Sequence, residues 1–202
     1  MTETHDHLPS PEMLSPDYAE PYLEAAFAVL AVHSESVPHG QTETQDLRAV
    51  NPSISVSLAK NESGTDSSKG RISVDGEDGI HHLVSKGKGL MRREDILAIH
   101  QWSSEAGNFK SWNIQRWKHP FTGRVTYIRS SFRSGGGRTV DAEEGKALFC
   151  SYATDFRAAL IDKLADRPDL LVEIDKLASA NLQRNRKSLF DRALGWLSLK
   201  RR

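Results

Sequence analysis

Cationic and aromatic side chains alternate over residues 106–140, and this stretch contains no acidic residue. Guanidinium and ammonium groups neutralise phosphates, and aromatic rings stack on nucleobases, so the combination is typical of a nucleic-acid groove. Within it we expect the cations to contact phosphates, and Trp117 and Tyr127 to stack on bases. The predicted nucleic-acid-binding residues are Lys110, Arg116, Trp117, Lys118, Arg124, Tyr127, Arg129, Arg133 and Arg138.

A β-hairpin is predicted to position most of these side chains. Trp112–Lys118 is expected to form its first strand, and residues 119–123, with one proline and one glycine, its turn. The second strand is expected over Arg124–Arg133, where side chains alternate with a period of two. The alternation divides the cations of this strand between its two faces.

The two halves of the chain carry opposite charge, although the whole chain is neutral. Residues 1–108 contain 8 Lys and Arg against 17 Asp and Glu, whereas residues 109–202 contain 19 against 10. A basic body commonly meets an anionic partner. The alternative is that the acidic half covers the basic face of its own chain, because the same Coulomb attraction acts within a molecule.

The acidic part, residues 1–89, is predicted to be a flexible arm. Ser, Thr, Asn, Gly, Asp and Glu dominate residues 34–89, a composition that buries little apolar area. One short helix is expected at about residues 16–33, where apolar side chains recur at helical spacing. Two β-branched runs within residues 53–74 are expected to pair as a hairpin.

The basic domain is predicted to span residues 90–202 and to end in a basic amphipathic helix. We expect a helix over Met91–Glu105, then the hairpin, then a helix that Asp141 caps. A last helix is expected from Pro168, with a break around Asn181–Asn185. The predicted fold class is therefore α+β, with a small antiparallel sheet packed against two or three helices.

A non-catalytic nucleic-acid-binding accessory protein is the function that this pattern predicts. The alternative is an adaptor or effector-like interaction protein that acts through residues 16–33 and 181–202. A basic amphipathic helix at residues 181–202 would also suit peripheral contact with an anionic membrane. The N-terminus lacks the basic and apolar regions of a secretory signal, and the longest apolar run, Ala25–Val32, is too short to span a bilayer. We therefore expect a cytoplasmic protein.

No motif in the sequence predicts a cofactor, a metal or a defined reaction. The histidines do not have the spacing of zinc ligands, and they are not accompanied by cysteines as in a zinc site. The single cysteine, Cys150, falls in an apolar helical pattern and is expected to be a core thiol. A small metal-independent nuclease is the enzyme that the residues would allow, with His100 or His119 as the general base. Arg124 or Arg129 would then stabilise the transition state.

Overall fold

The chain folds into one antiparallel sheet with helices on one of its faces, as a computed structural model shows. The model describes residues 13–37, 45–61, 64–76, 79–89, 94–105, 108–131 and 137–199. Nine strands lie side by side in the order in which they occur in the chain. The α+β fold class is therefore confirmed, and the sheet is larger than the small one predicted.

The helices and strands follow one another as a helix, the whole sheet and then two helices. Their bounds are α1 Pro16–His33, β1 Glu35–Ser36, β2 Gln45–Asn51, β3 Ile54–Asn61, β4 Gly64–Asp75, β5 Ile80–Lys88, β6 Asp95–Glu105, β7 Asn108–Lys118, β8 Val125–Ser131, β9 Arg138–Val140, α2 Ala142–Lys163 and α3 Pro168–Leu199.

The hydrophobic core lies between the helices and one face of the sheet, which we call the inner face. Because successive side chains of a strand point to opposite faces, strand pairing places alternate residues of every strand on this side. In the middle of the sheet Ile72 pairs with Val84, Val84 with Ile99, and Ile99 with Ile114. All four side chains are buried. The opposite, outer face carries no helix of the described chain.

The helix α1 lies inside the molecule and is covered from two sides. Its side chains Tyr22, Leu23 and Leu30 are no more than 1% exposed. On one side Phe27 reaches the backbone of Gly70 on β4. On the other side α1 packs against α3, where the Tyr18 hydroxyl donates a hydrogen bond to the Asp175 carboxylate at 3.1 Å. The helix α2 covers the sheet beside α1, mainly over β4 to β8.

Three local predictions agree with the structure. The predicted helix at residues 16–33 matches α1, and the hairpin within residues 53–74 matches the paired strands β3 and β4. The Asp141 carboxylate accepts hydrogen bonds from the backbone N–H groups of Glu143 and Glu144, both at 2.9 Å, so it caps α2 as predicted. Each of these signals depends on neighbouring residues only.

The predicted helix over Met91–Glu105 is wrong, because residues 95–105 form the strand β6. Its apolar side chains satisfy both helical spacing and a period of two, and pairing with β5 and β7 selects the strand. The predicted break around Asn181–Asn185 is also wrong. The helix α3 continues through it, since this segment contains neither glycine nor proline.

The described part of the predicted arm forms α1 and the strands β1 to β5. The boundary expected at residue 89 falls between β5 and β6, and every residue of β5 pairs with β6. Within the predicted arm, residues 1–12 and 38–44 lie outside the described residues. In the described chain the acidic half and the basic half therefore share one sheet.

Replacement of Gly145 by alanine is expected to destabilise the protein, although alanine favours helices over glycine. A β-carbon at this position would overlap the Tyr127 Cβ, so α2 would have to move away from β8. We expect the free energy of unfolding in urea to fall by about 1–3 kcal/mol. Gly87→Ala is the control, because a β-carbon there meets nothing within 4 Å. Equal stability of the Gly145 variant and the wild type would contradict this packing.

Candidate functional site

The predicted binding residues of β7 and β8 divide between the two faces of the sheet. Arg116, Tyr127 and Arg129 lie on the inner face, since Arg116 pairs with Tyr127 and with Leu97 across the sheet. The Tyr127 ring is half-buried against Phe149 of α2, with the ring centroids 6.1 Å apart. Tyr127 is therefore part of the core contact of α2, and its ring is not presented to a nucleobase.

Glu20 of α1 neutralises two of the predicted cations. Its Oε1 atom lies 3.0 Å from the Arg116 Nη2 atom and 3.5 Å from the Lys118 Nζ atom. The Arg116 side chain is only 4% exposed, and its Nε and Nη1 atoms have no hydrogen-bond partner. Only one carboxylate compensates the charge of this buried guanidinium, and two of its nitrogens are unsatisfied. Loss of that carboxylate would therefore strongly destabilise the fold.

Further acidic residues of the helices meet cations in the same way. Glu24 of α1 lies 3.7 Å from the Nζ atom of Lys86, which also sits 4.1 Å above the Phe27 ring. Glu144 of α2 lies 3.7 Å from Arg129. These contacts agree with the alternative in which acidic residues of the chain cover its own basic face. On the inner face the charge segregation of the sequence is thus largely an internal pairing.

The other predicted cations are exposed. Lys110, Arg124 and Arg138 lie at strand ends, and among the residues that the structure describes no carboxylate forms an ion pair with them. Trp117 lies on the outer face, half-buried, and its indole N–H donates to the Gln115 side chain at 2.8 Å. Arg133 lies outside the described residues. The structure therefore does not gather the predicted set into one groove.

A basic cleft that the sequence analysis missed opens at the end of β3, β4 and β5. It has a volume of about 310 Å³, and its lining contains four cations and no carboxylate. Two serine side chains, Ser57 and Ser85, stand with Arg71 in one row of paired residues on the outer face. The lining residues are Ser57, Ala59, Lys69, Gly70, Arg71, Ser85, Lys86, Gly87, Lys88 and Ile96.

The sequence does contain a signal for this cleft. Lys69 and Arg71 are two residues apart, and so are Lys86 and Lys88. A spacing of two puts such a pair on one side of a strand. Because Gly70 pairs with Lys86, Lys69 and Arg71 project from the outer face, whereas Lys86 and Lys88 project from the inner face.

The outer face beside the cleft is polar and carries two tryptophans. Rows of Ser, Thr, Asn and Gln side chains cross it, and Trp117 lies next to Ile96 at the end near the cleft. Trp102 lies opposite Ser111, six residues before Trp117 along β7, so the two rings are about 20 Å apart. Such a face offers stacking and hydrogen-bonding groups without a hydrophobic patch.

Two histidines flank Trp102 on this face. The His81 ring stacks on the indole at a centroid distance of 5.2 Å, and the His100 ring meets it at 5.3 Å. The His100 Nε2 atom lies 2.6 Å from the Ser111 hydroxyl, and burial lowers the pKa of His100 below its ordinary value of 6.5.

Neither a metal centre nor a reactive thiol is apparent in the described part of the chain. Over these residues, no group of three or more His, Cys, Asp and Glu side chains is close enough to hold a metal ion. Cys150 is buried in the core, as predicted, and burial raises the pKa of its thiol. A protonated, enclosed thiol is a poor nucleophile. None of the described helices is long and apolar enough to cross a bilayer.

Substitution Glu20→Gln is expected to lower the free energy of unfolding by about 2–4 kcal/mol, because it leaves the Arg116 charge buried without a counterion. The measurement is urea unfolding at neutral pH. The control is Glu24→Gln, one turn along the same face of α1, whose more exposed pair with Lys86 is expected to cost less than about 1 kcal/mol. Equal effects of the two substitutions would contradict the special role of Glu20.

The pKa of His100 predicts a pH dependence of stability. Below about pH 6.5 the unfolded chain binds a proton at His100 that the folded protein binds only at lower pH. The contribution of His100 to stability is therefore present above pH 6.5 and is lost as the pH falls. Urea unfolding between pH 5 and pH 8 should show that the wild type loses stability relative to His100→Gln as the pH falls. His119→Gln, in the β7–β8 turn, is the control, and parallel profiles for wild type and His100→Gln would contradict the prediction.

Comparisons with protein-family models, with curated proteins and with solved structures gave no match to this chain. The interpretation of its surfaces therefore depends on their own geometry and charge.

Proposed function

We propose that this protein binds single-stranded nucleic acid without catalysis, on the outer face of the sheet at the basic cleft. The observation that carries the proposal is the lining of that cleft, where Lys69, Arg71 and two serines lie on the outer face without a carboxylate. Lys69 and Arg71 are exposed there, whereas Lys86 projects from the inner face, where it pairs with Glu24. Phosphate groups fit a cleft of this charge, and the hydroxyls supply additional hydrogen-bond donors.

The tryptophans of the outer face favour a single strand over a duplex. Nucleobases of a single strand are free to stack on aromatic rings, whereas those of a duplex are enclosed. Trp117 lies beside the Cα of Gly89, which follows Lys88, so a strand that leaves the cleft passes this ring. Arg124 and the Phe121 ring, which is 89% exposed, extend the same end of the sheet.

The proposed site and the site predicted from the sequence use different cations. Arg116 and Arg129 are held by carboxylates of the helices, and Tyr127 is packed under α2. Of the predicted residues, Trp117 and Arg124 belong to the surface proposed here. The proposed phosphate contacts move from β7 and β8 to Lys69 and Arg71 of β4.

A second candidate function is the adaptor, and α3 is the element that favours it. The pair between Arg186 and Asp17 shows that α3 passes the start of α1 near this residue. Residues 187–199 continue as helix for about 20 Å beyond that point. The apolar α1 is enclosed by the sheet and α3, so of the two helices named in the adaptor hypothesis only α3 extends beyond the core.

Binding should be measured by fluorescence anisotropy with labelled single-stranded DNA, single-stranded RNA and duplex DNA of equal length, over a salt range. We expect single strands to bind the full chain, with log K falling linearly with log salt at a slope of about −0.7 per phosphate contacted. Lys69→Ala/Arg71→Ala should weaken binding at low salt and make the slope shallower by about 1.4.

Lys176→Ala is the matched control, because Lys176 is exposed on α3, away from the cleft. It should leave both affinity and slope unchanged. The proposal fails if the full chain binds no nucleic acid at low salt. It also fails if the double variant binds as the wild type does, since phosphates would then be contacted elsewhere.

A further inference from the structure

A second cleft, on the inner face, has the opposite charge. It lies between α2 and the β4–β5 end of the sheet, with a volume of about 480 Å³, and its lining contains two carboxylates and no cation. The lining residues are Gly76, Ile80, His82, Gln101, Asp155, Ala158, Ala159 and Asp162. It is distinct from the basic cleft, because no residue lines both.

The sheet breaks its own hydrophobic pattern at the floor of this cleft. Neighbouring positions of the inner face hold Val74, Val84 and Ile99, whereas His82 and Gln101 take the next paired positions. His82 is 5% exposed and Gln101 is 3% exposed. Buried polar side chains in an apolar face cost free energy unless they are hydrogen-bonded, so their presence here calls for a role.

Gln101 holds Asp155 in a fixed orientation. The Trp112 indole N–H donates to the Gln101 Oε1 atom at 2.6 Å, and the Gln101 Nε2 group donates to the Asp155 carboxylate at 3.0 Å. The same Nε2 group lies 3.4 Å from His82 Nδ1. Among the described residues no cation forms an ion pair with Asp155. Hydrogen bonds from the buried Gln101 thus orient the exposed Asp155 carboxylate at the mouth of the cleft.

The helix α2 forms one wall of the cleft and carries a second carboxylate, Asp162. Asp155 and Asp162 are seven residues, or about 10.5 Å, apart along the helix axis, and therefore lie on the same side of it. Between them stand Ala158 and Ala159, and Ile80 lines the cleft from the sheet. Asp162 is paired with the adjacent Lys163 at 2.8 Å, a pair close to the surface that a ligand cation can replace.

We propose that this cleft binds a linear aliphatic diamine or polyamine. One ammonium group would be held by Asp155 and the second by Asp162, and the methylene chain would cover Ala158, Ala159 and Ile80. The arrangement of carboxylate, small apolar wall and carboxylate matches the order ammonium, methylenes, ammonium. An anion is excluded by the two carboxylates, and a neutral ligand would leave the Asp155 charge unused.

Titration calorimetry with 1,4-diaminobutane, 1,6-diaminohexane and 1,8-diaminooctane tests the proposal on the full chain. We expect one site, an affinity that varies with chain length, and at least about tenfold weaker binding of 1-aminohexane, which lacks the second ammonium group. The indole N–H resonance of Trp112 should shift on binding, since this group donates to Gln101, which holds Asp155. The resonance is assigned by its loss in Trp112→Phe.

Asp155→Asn removes the charge and retains the shape, and it should weaken the best diamine about tenfold or more. Asp162→Asn should reduce the preference for the diamine over 1-aminohexane. Asp166→Asn, on the turn after α2 and outside the cleft, is the matched control and should bind as the wild type does. A urea unfolding curve establishes that each variant is folded.

Three results would overturn the proposal. In the first, no diamine binds at millimolar concentration. In the second, folded Asp155→Asn binds as tightly as the wild type. In the third, 1-hexanol binds as well as 1,6-diaminohexane, and the cleft then recognises methylenes rather than charge. None of these outcomes depends on whether the outer face binds nucleic acid.

Discussion

The burial of α1 between the sheet and α3 is the contact on which the rest of the structure depends. A sheet with one apolar face must cover that face, and α1 and α2 do so for the described strands. Since α1 carries Glu20 and Glu24 into this layer, it also determines which cations of the sheet are neutralised. The same helix therefore supplies hydrophobic contact and charge compensation. The cations left without a counterion are those at strand ends and on the side of the sheet away from α1, and this sorting determines where an anionic ligand can bind.

The sequence predicted the elements whose signals are local and missed those that depend on pairing. The β7–β8 turn, the Asp141 cap and the extent of α1 are encoded within a few residues each. The strands β2 and β5 were not predicted because the polar composition of residues 34–89, to which Ser55, Ser73 and Ser85 contribute, made this segment look like a linker. These serines occupy the outer face, while the intervening Val56, Val74 and Val84 are buried. A sheet that is covered on one face needs apolar residues at alternate positions only, and its average composition therefore looks polar.

The candidate site could be predicted only in part, for a related reason. The excess of cations in residues 106–140 is real, but sequence does not say which face of a strand a helix will cover. Arg116 and Arg129 lie on the covered face and meet carboxylates that are distant in the chain. Lys69 and Arg71 were overlooked because the cleft that they line forms only when β3, β4 and β5 pair. The folded molecule separates its charges into a basic cleft at one end of the sheet and an acidic cleft under α2, an arrangement that net charge alone conceals.

The strand order of the sheet has a consequence for how the chain folds. Since every strand pairs with its neighbour in sequence, the sheet can grow by adding one hairpin at a time, with short loops and little loss of chain entropy at each step. The first helix is the exception. Its outer side is covered by α3, which is synthesised about 150 residues later, so α1 must keep an apolar surface exposed until the last helix arrives. The slow, long-range step of folding is thus the closure of the two ends of the chain over a sheet that is already formed.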